Sequence, residues 1–524
     1  MPKPNQVIIE QNKKLSESYL WDYQREYFDR KGIDAWVQDV PHYATSNPFL
    51  ANCYAHMAVR LAQAWVKKNP EARKEPFYVM ELGTGSGQLS YYIVKKIKQL
   101  REQLGLDDIR ICYIMTDFTE SNLKFWSTHP VLQPFVEEKV LDFAIFDMEK
   151  DSSLHLQKSG VTLNAGDMHN PLVVFANYLF DTIVQDAFIM KKGELHAGLL
   201  TLTTPKDNMR DGKPINIERV NIEYNPGPVA DPYYDDPDLN AVLNSYKGNL
   251  KNSIFLFPLV GLKAIANLKK LSGGKLLLIT SDKGYSTLDE IENLDTPHLD
   301  FHGSFSTMVN FHAIAQYFIQ TGGAAKLQSR REGITTHGFY TGFQLEDYPE
   351  LAYALEENIE RLSPGDYFIL HRNIRENFKH CNINTLAAHM AFTGWDPHIY
   401  GKLTKQICEL IVHADRTTID YLTSHMPNLA ANFYYMPQQY DVLFDIGILF
   451  HTLRRYADAI PYYEKSQYYF GDKFNLLYNL AICRYHAGQV QEGLDCFKLA
   501  LTYNPDSEET KRFIEFIESK QDKG

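Results

Sequence analysis

Apolar positions change their spacing along the chain, and each change marks a boundary. Between Ala51 and Lys68, the residues Tyr54, Met57, Ala58, Leu61 and Trp65 recur on one helical face. Residues 1–75 are therefore expected to form an N-terminal helical cap. Pro70 and Pro76 bracket a charged break, after which short apolar runs alternate with helical patterns to about residue 345. Alternation of that kind predicts an α/β domain, a parallel sheet covered by helices. Within this domain, 76–345, a long segment at 183–272 separates the fourth strand from the fifth and reads as an insertion. Residues 346–437 carry a helical pattern with little β-branched alternation and are expected to be a helical connector.

The remainder repeats itself. Ala459, Tyr463 and Ser466 recur as Gly493, Phe497 and Ala500, an offset of 34 residues. Upstream of each set, Leu443, Ile446 and Gly447 pair with Leu477, Leu480 and Ala481, and Pro505 closes the second copy. This period is that of tetratricopeptide repeats, so 438–505 is expected to hold two of them, followed by a C-terminal helix or tail at 506–524. Small residues let the paired helices approach, and larger ones fill the seam. Two repeats are too few to stand alone, so stacking on the preceding helices is expected. Such a module suggests recruitment of a protein partner or substrate.

The strongest chemical signal is Phe77-Tyr-Val-Met-Glu-Leu-Gly-Thr-Gly-Ser-Gly-Gln-Leu-Ser90. An apolar strand enters a turn with Gly83, Thr84, Gly85 and Gly87, and a helix with Leu89, Ile93 and Ile97 on its buried face leaves it. Glycines remove Cβ atoms where a backbone turns sharply under a ligand, and free amides at the helix start face an anionic or polar group. Glu81 could hold a ligand ammonium or a turn amide. The next strand ends in Asp117, suited to the two hydroxyls of a ribose, and the third ends in Asp147-Met148, placed to border an adenine. Three successive strands ending in acids point to a nucleoside site, although Asp147 alone also suits a helix cap. The G-x-G-x-G spacing differs from the G-x-G-x-x-G of dinucleotide sites. The fourth strand runs into Asn177 and Asp181, which belong where ligands of such sheets lie, beyond the carboxyl ends of the strands. Asp181 as a cap of the following helix is the competing reading.

Composition narrows the class. The 524 residues exceed one hydrophobic core. A formal charge of −12 opposes a nucleic-acid partner and suits a basic one. No apolar run reaches the eighteen residues of a membrane span, and the first residues lack a signal-peptide or presequence pattern, so a cytoplasmic location is expected. Six scattered cysteines form no C-x-x-C pair and read as reduced thiols. The alternating His298, Asp300 and His302 lack a fourth ligand, so no metal is expected. The segment Asp231-Pro-Tyr-Tyr-Asp-Asp-Pro-Asp238 could grip a basic substrate or be a solvated loop.

The stretches Glu81–Leu89 and Ala176-Asn-Tyr-Leu-Phe-Asp-Thr-Ile-Val-Gln-Asp-Ala-Phe188 resemble the MidA-like methyltransferase family, which includes the mitochondrial complex I assembly methyltransferase of a protein arginine. Ala44-Thr-Ser-Asn-Pro-Phe-Leu-Ala51, Leu278-Ile-Thr-Ser-Asp-Lys-Gly284 and the run from Ser304 to Ile314 fit the same order. The resemblance spans about residues 15–345 and implies a class I methyltransferase fold, Rossmann-like with a mostly parallel seven-stranded sheet. It implies S-adenosylmethionine as cofactor, with Gly83, Gly85, Gly87, Asp117 and Asn177 around it. Asn177, Asp181 and Asp282 would face the acceptor. It further implies a protein side chain, arginine by resemblance, as the methyl acceptor. The family carries Glu where Tyr178 stands, Tyr where Lys283 stands and an acid where Ser304 stands. Those departures motivate an alternative, a nucleoside-binding scaffold without turnover.

Overall fold

The computed structural model describes residues 5–38, 46–210, 212–214, 216–329 and 333–521. It divides into two compact units, one running to Phe368 and one beginning at Ile369. The expected boundary at 345 falls short because the next helices belong to the first unit. There Trp65 stacks on Tyr348 with ring centroids 5.3 Å apart, and Phe49 stacks on Tyr367 at 4.5 Å.

The first unit opens with a strand, β1 (Gln6–Lys13), ahead of helices α1 (Tyr19–Lys31), α2 (Ala35–Gln38) and α3 (Pro48–Lys68). The main sheet follows. Its strands are β2 (Phe77–Leu82), β3 (Ile111–Asp117), β4 (Leu141–Ile145) and β5 (Leu172–Asn177), with helix α4 (Gln88–Gln103) leaving β2. An inserted group contains β6 (Asp186–Lys191), β7 (Glu194–Pro205), β8 (Asn221–Gly227) and β9 (Ser253–Phe257). The main sheet resumes with β10 (Leu276–Tyr285), β11 (Val309–Asn310), β12 (Ala324–Lys326) and β13 (Ile334–Thr341).

The main sheet has the order β12-β13-β10-β5-β2-β3-β4, with the two-residue β11 beside β10, making eight strands where seven were expected. Neighbours are parallel except at β13, which runs against both β10 and β12. Strands β2, β3, β5 and β10 are almost wholly buried and read as apolar runs, as a sheet covered on both faces requires. The chain steps outward from β2 to β4 and then returns to the other side of β2 with β5. That reversal opens a crevice beyond the strand ends.

The insertion is a sheet in its own right. Strands β6, β7, β8 and β9 pair antiparallel, and β1 joins them by pairing with β7, Gln6 opposite Pro205. Residues 1–75 are thus not purely helical. The pairing of β1 is interrupted between Ile8 and Glu10 and again before Lys13. Glu10 uses that irregularity to accept from the Ser18 hydroxyl at 2.7 Å and the Tyr19 amide at 3.0 Å, which ties β1 to the start of α1.

The second unit is helical. Helices α5 (Val442–Thr452) and α6 (Tyr456–Phe470) form one antiparallel pair, and α7 (Phe474–His486) and α8 (Val490–Tyr503) another. A last helix, α9 (Glu508–Gln521), stacks Phe513 on Phe497 with ring centroids 5.2 Å apart. A Cβ on Gly447 would lie 2.4 Å from the Tyr463 ring, so only a bare backbone lets α5 and α6 meet there. Among the described residues no helix is long and apolar enough to cross a membrane.

Gly447→Leu is expected to lower the unfolding free energy of the helical unit by about 1–3 kcal/mol through overpacking against Tyr463. Denaturant unfolding followed by circular dichroism checks it, and an unchanged midpoint would place that ring elsewhere.

Candidate functional site

The glycine turn is bolted to the strand beside it. Gly83 and Gly85 have φ of 61° and 58°, a left-handed region costly for residues with a Cβ. The Thr84 amide donates to the Thr116 carbonyl at 2.9 Å, the Thr116 amide donates back to the Thr84 hydroxyl at 3.1 Å, and the Trp126 indole donates to the Gly85 carbonyl at 3.0 Å. Asp117 completes the joint. It accepts from the amides of Gly85 and Thr119, the Thr119 hydroxyl and the Asn122 side chain, at 3.0–3.1 Å. A carboxylate offers about four lone-pair directions, so all of them are taken within the protein. Burial pushes its pKa up despite these donors.

Glu81 sits deeper. Its carboxyl accepts from the hydroxyls of Ser90 and Tyr113, it is 4% exposed, and burial pushes it up to about 7. It neither lines the crevice nor holds a turn amide. The two sequence readings of Glu81 give way to a buried acid that supports α4 from below.

The crevice itself is a cavity of about 690 Å³. Gly83, Asp117, Phe118, Phe146, Asp147 and Met148 line its floor along β2, β3 and β4. Across the reversal, Tyr178 and Asp181 follow β5, and Lys283, Asp300 and Ser304 close that end. The roof comes from the N-terminal helices, through Trp21, Arg25, Phe28 and Trp36. Trp36 lies over the turn, so a Cβ on Gly85 would come within 2.4 Å of its ring. Arg25 pairs with Asp147, approaches Glu149 at 3.6 Å and stands 4.6 Å over the Phe118 ring. Burial alone would raise the Asp147 carboxyl, but Arg25 outweighs it and holds the group below its ordinary range. Seven carboxylate side chains line the cavity against two cations, Arg25 and Lys283. Such a site favours cationic ligands.

Expected site residues divide sharply. Gly83, Asp117, Asp147, Met148 and Asp181 are brought together around the cavity; Glu81, Thr84, Gly85, Gly87, Asn177 and Asp282 do not line it. Asn177 ends β5 with its side-chain oxygen bonded to the Tyr54 hydroxyl of α3, and its amide nitrogen has no partner. It faces the helix rather than the acceptor end. Asp282 is fully buried behind Asp181, whose amide it accepts at 3.3 Å. Burial raises both carboxyls, Asp181 to about 7, and the charge of Asp181 raises Asp282 further. The roof residues escaped sequence reasoning, although Trp21, Arg25 and Phe28 recur at helical spacing on α1. Phe118 and Asn122 escaped too, and the Asp117-Phe-Thr turn was their signal.

Two further expectations change. In the 231–238 loop, Tyr233 and Tyr234 pack on Phe188 at 5.2 and 6.4 Å, and Tyr234 donates to Asp186 at 2.9 Å. They anchor the loop instead of presenting a gripping surface. His298 is exposed beside Asp300 at 3.2 Å. The side chain of His302, and Ala44 and Thr45 of the family-like stretch, lie outside the described residues.

No family model matches the chain, and no curated protein does. Among solved structures, one is a Burkholderia thailandensis protein bound to S-adenosyl-homocysteine and itself only inferred to be a methyl transferase. It is 13% identical over 67% of this chain and 85% of its own, with a TM-score of 0.40. The DhpI complex with S-adenosyl-homocysteine matches at 8% identity, 62% and 98% coverage and a TM-score of 0.27. YrrB, a tetratricopeptide-repeat protein with an unusual peptide-binding site, matches at 11% identity, 33% and 83% coverage and 0.23. Likenesses this distant leave the chemistry to the side chains.

Glu81 gives a stability test with a definite sign. Its pKa rises on folding from 4.5 to about 7, so its contribution is complete below the unfolded value and lost as pH rises through about 7. The unfolding free energy of the wild type minus that of Glu81→Gln should therefore shrink between about pH 6 and about pH 8 in urea titrations. A constant or growing difference refutes the buried neutral acid.

Proposed function

We propose that the first unit is an S-adenosylmethionine-dependent methyltransferase of the class I type, related to the MidA-like family and acting on a protein side chain, arginine by resemblance. The observation that carries this reading is the acid-lined cavity beyond the ends of β2, β3 and β4 at the reversal of strand order, floored by a glycine turn. The sheet order, with β13 alone reversed, supports the class I assignment. S-adenosylmethionine supplies a methyl carbon on a positively charged sulfur, and the carboxylate excess suits that charge.

The polar atoms of the cavity suit such a cofactor. Asp117 has no lone pair left for a ribose, so its part in this reading is to fix the Gly85 amide and orient Asn122. Asn122 is 3% exposed, lines the cavity, and has a buried side-chain oxygen without a donor. That oxygen suits a ribose hydroxyl. Phe118, Phe146 and Met148 offer apolar surface for an adenine, and Gly83 admits the amino-acid portion. Asp181 and Ser304 stand at the acceptor end, where the Ser304 hydroxyl also lacks a partner. Positioning and electrostatics are the means available to these side chains.

The repeat reading of 438–505 is supported by the spacing of the seam. Gly447 meets Tyr463 in the first helix pair, and Ala481 and Phe497, both fully buried, occupy the positions 34 residues later in the second. In this reading the module recruits a protein partner from the same compartment, expected to be cytoplasmic. A second reading, a nucleoside-binding scaffold without turnover, draws on Tyr178, a neutral phenol at φ 47° where the family carries a carboxylate. Labelled methyl donor incubated with a lysate separates the two: cofactor binding without any transfer favours the scaffold.

Asp117→Ala, by releasing the Gly85 turn and Asn122, should weaken S-adenosyl-homocysteine binding at least about tenfold, and Asn122→Ala by a similar factor through the loss of about one hydrogen-bonding contribution. Isothermal titration calorimetry measures both. Wild-type affinity in the two variants would sink the nucleoside site.

A further inference from the structure

Arg25 reaches from the roof helix α1 down to the floor of the cavity. Its guanidinium carbon stands 4.6 Å from the centre of the Phe118 ring, and its Nη2 donates to Asp147 Oδ2. Phe118 follows β3, Asp147 follows β4, and both line the cavity. They are the groups that the reading above gives to an adenine: a ring face to lie on and a carboxylate at its border. A guanidinium and an aminopurine make the same demands, since each is planar, stacks on an aromatic face and donates N–H bonds to a carboxylate. Asp147 Oδ1 already accepts from the Glu149 amide at 3.1 Å, so Oδ2 is the oxygen they compete for.

Arg25 and a base cannot share that face of Phe118. Stacked atoms lie about 3.5–4 Å apart, so a ring inserted between the two groups needs about 7–8 Å. The helix itself is held down. Gln24, next to Arg25, donates to the Phe305 carbonyl at 2.7 Å and accepts from the Phe305 amide at 2.9 Å, and Trp21 packs on the Phe305 ring at 5.2 Å. What can move is the Arg25 side chain, which is 34% exposed. A second seat is close by: Arg25 Nη1 lies 3.6 Å from Glu149 Oε2, and Glu149 also lines the cavity. Lys150, 3.2 Å from Asp147 Oδ2, remains to balance that carboxylate once Arg25 has left it.

We infer that Arg25 is a self-ligand of the adenine subsite, holding it through Phe118 and Asp147 and yielding it by moving onto Glu149 as the cofactor base is admitted. The inference rests on the methyl-transfer reading above. Arg25 thereby sets cofactor affinity, because the fraction of molecules with Arg25 on Glu149 scales the apparent dissociation constant.

Isothermal titration of S-adenosyl-homocysteine into the full-length wild type, Arg25→Ala and Glu149→Gln tests this without any turnover, and the two variants should move in opposite directions. Arg25→Ala should bind about three- to tenfold more tightly, since no ion pair or ring contact has to be broken first. Glu149→Gln removes the charge of the second seat and should bind about threefold more weakly. Equal or weaker binding by Arg25→Ala makes Arg25 part of the roof or of the base's own site and overturns the inference. Unchanged or tighter binding by Glu149→Gln overturns the exchange. Should Arg25→Ala fail to fold, Arg25→Lys decides, because an ammonium keeps the charge and lacks the planar face: it must still bind more tightly than the wild type. Wild-type binding with the wrong sign in the variants rejects the self-ligand and leaves methyl transfer standing, whereas no binding by any of these proteins removes both.

Discussion

One carboxylate holds the site together. Asp117 collects four donors from three residues, and through the Gly85 amide it fixes a turn whose glycine backbone is otherwise permissive. Its neighbours inherit their places from it. Phe118 and Asn122 enter the cavity because the turn after Asp117 is closed by its own side chain. Gly85 can lie under Trp36 because its amide is already satisfied. An acid at a strand end is thus a structural joint before it is a ligand contact, and the buried Asn122 oxygen is the atom it leaves available.

What was legible in the chain was local. The glycine turn, the acids closing β3 and β4, and the 34-residue echo of the helical seam all depend on residues close in sequence. The orientation of Asn177 was not legible. Side chains alternate between the two faces of a sheet, and only the register of β5 against β10 and the position of Tyr54 decide which face Asn177 takes. Asp181 lies beyond a turn at Tyr178 and escapes that alternation, so the two residues part although four positions separate them. The roof was illegible for a different reason. Arg25 meets Asp147 across 122 positions, and no periodicity within α1 carries information about a partner so far away.

The same physics explains the N-terminal strand. Three apolar residues between Gln6 and Glu10 make a weak β signal, and β1 becomes a strand because β7 offers an edge to pair with. Glu10 then links that edge to the cap of α1, so the inserted sheet and the roof helices are mechanically one piece. Burial raises Asp147, Glu81, Asp181 and Asp282 alike, and a charged partner decides whether the rise survives. Asp147 is kept charged by Arg25, whereas at Glu81, Asp181 and Asp282 burial outweighs the stabilising contacts and pushes the groups toward neutrality.

The union of β1 with β7 also orders events during biogenesis. The helices that cover the crevice emerge from the ribosome early but cannot be seated until a strand nearly two hundred residues downstream has appeared, and Gln24 waits longer still for the Phe305 backbone. A nascent chain therefore exposes its glycine turn uncovered while the residues up to the end of β7 are made. Capture of a nucleoside before the lid is seated would be a cotranslational event, open to any ligand that the finished roof would turn away.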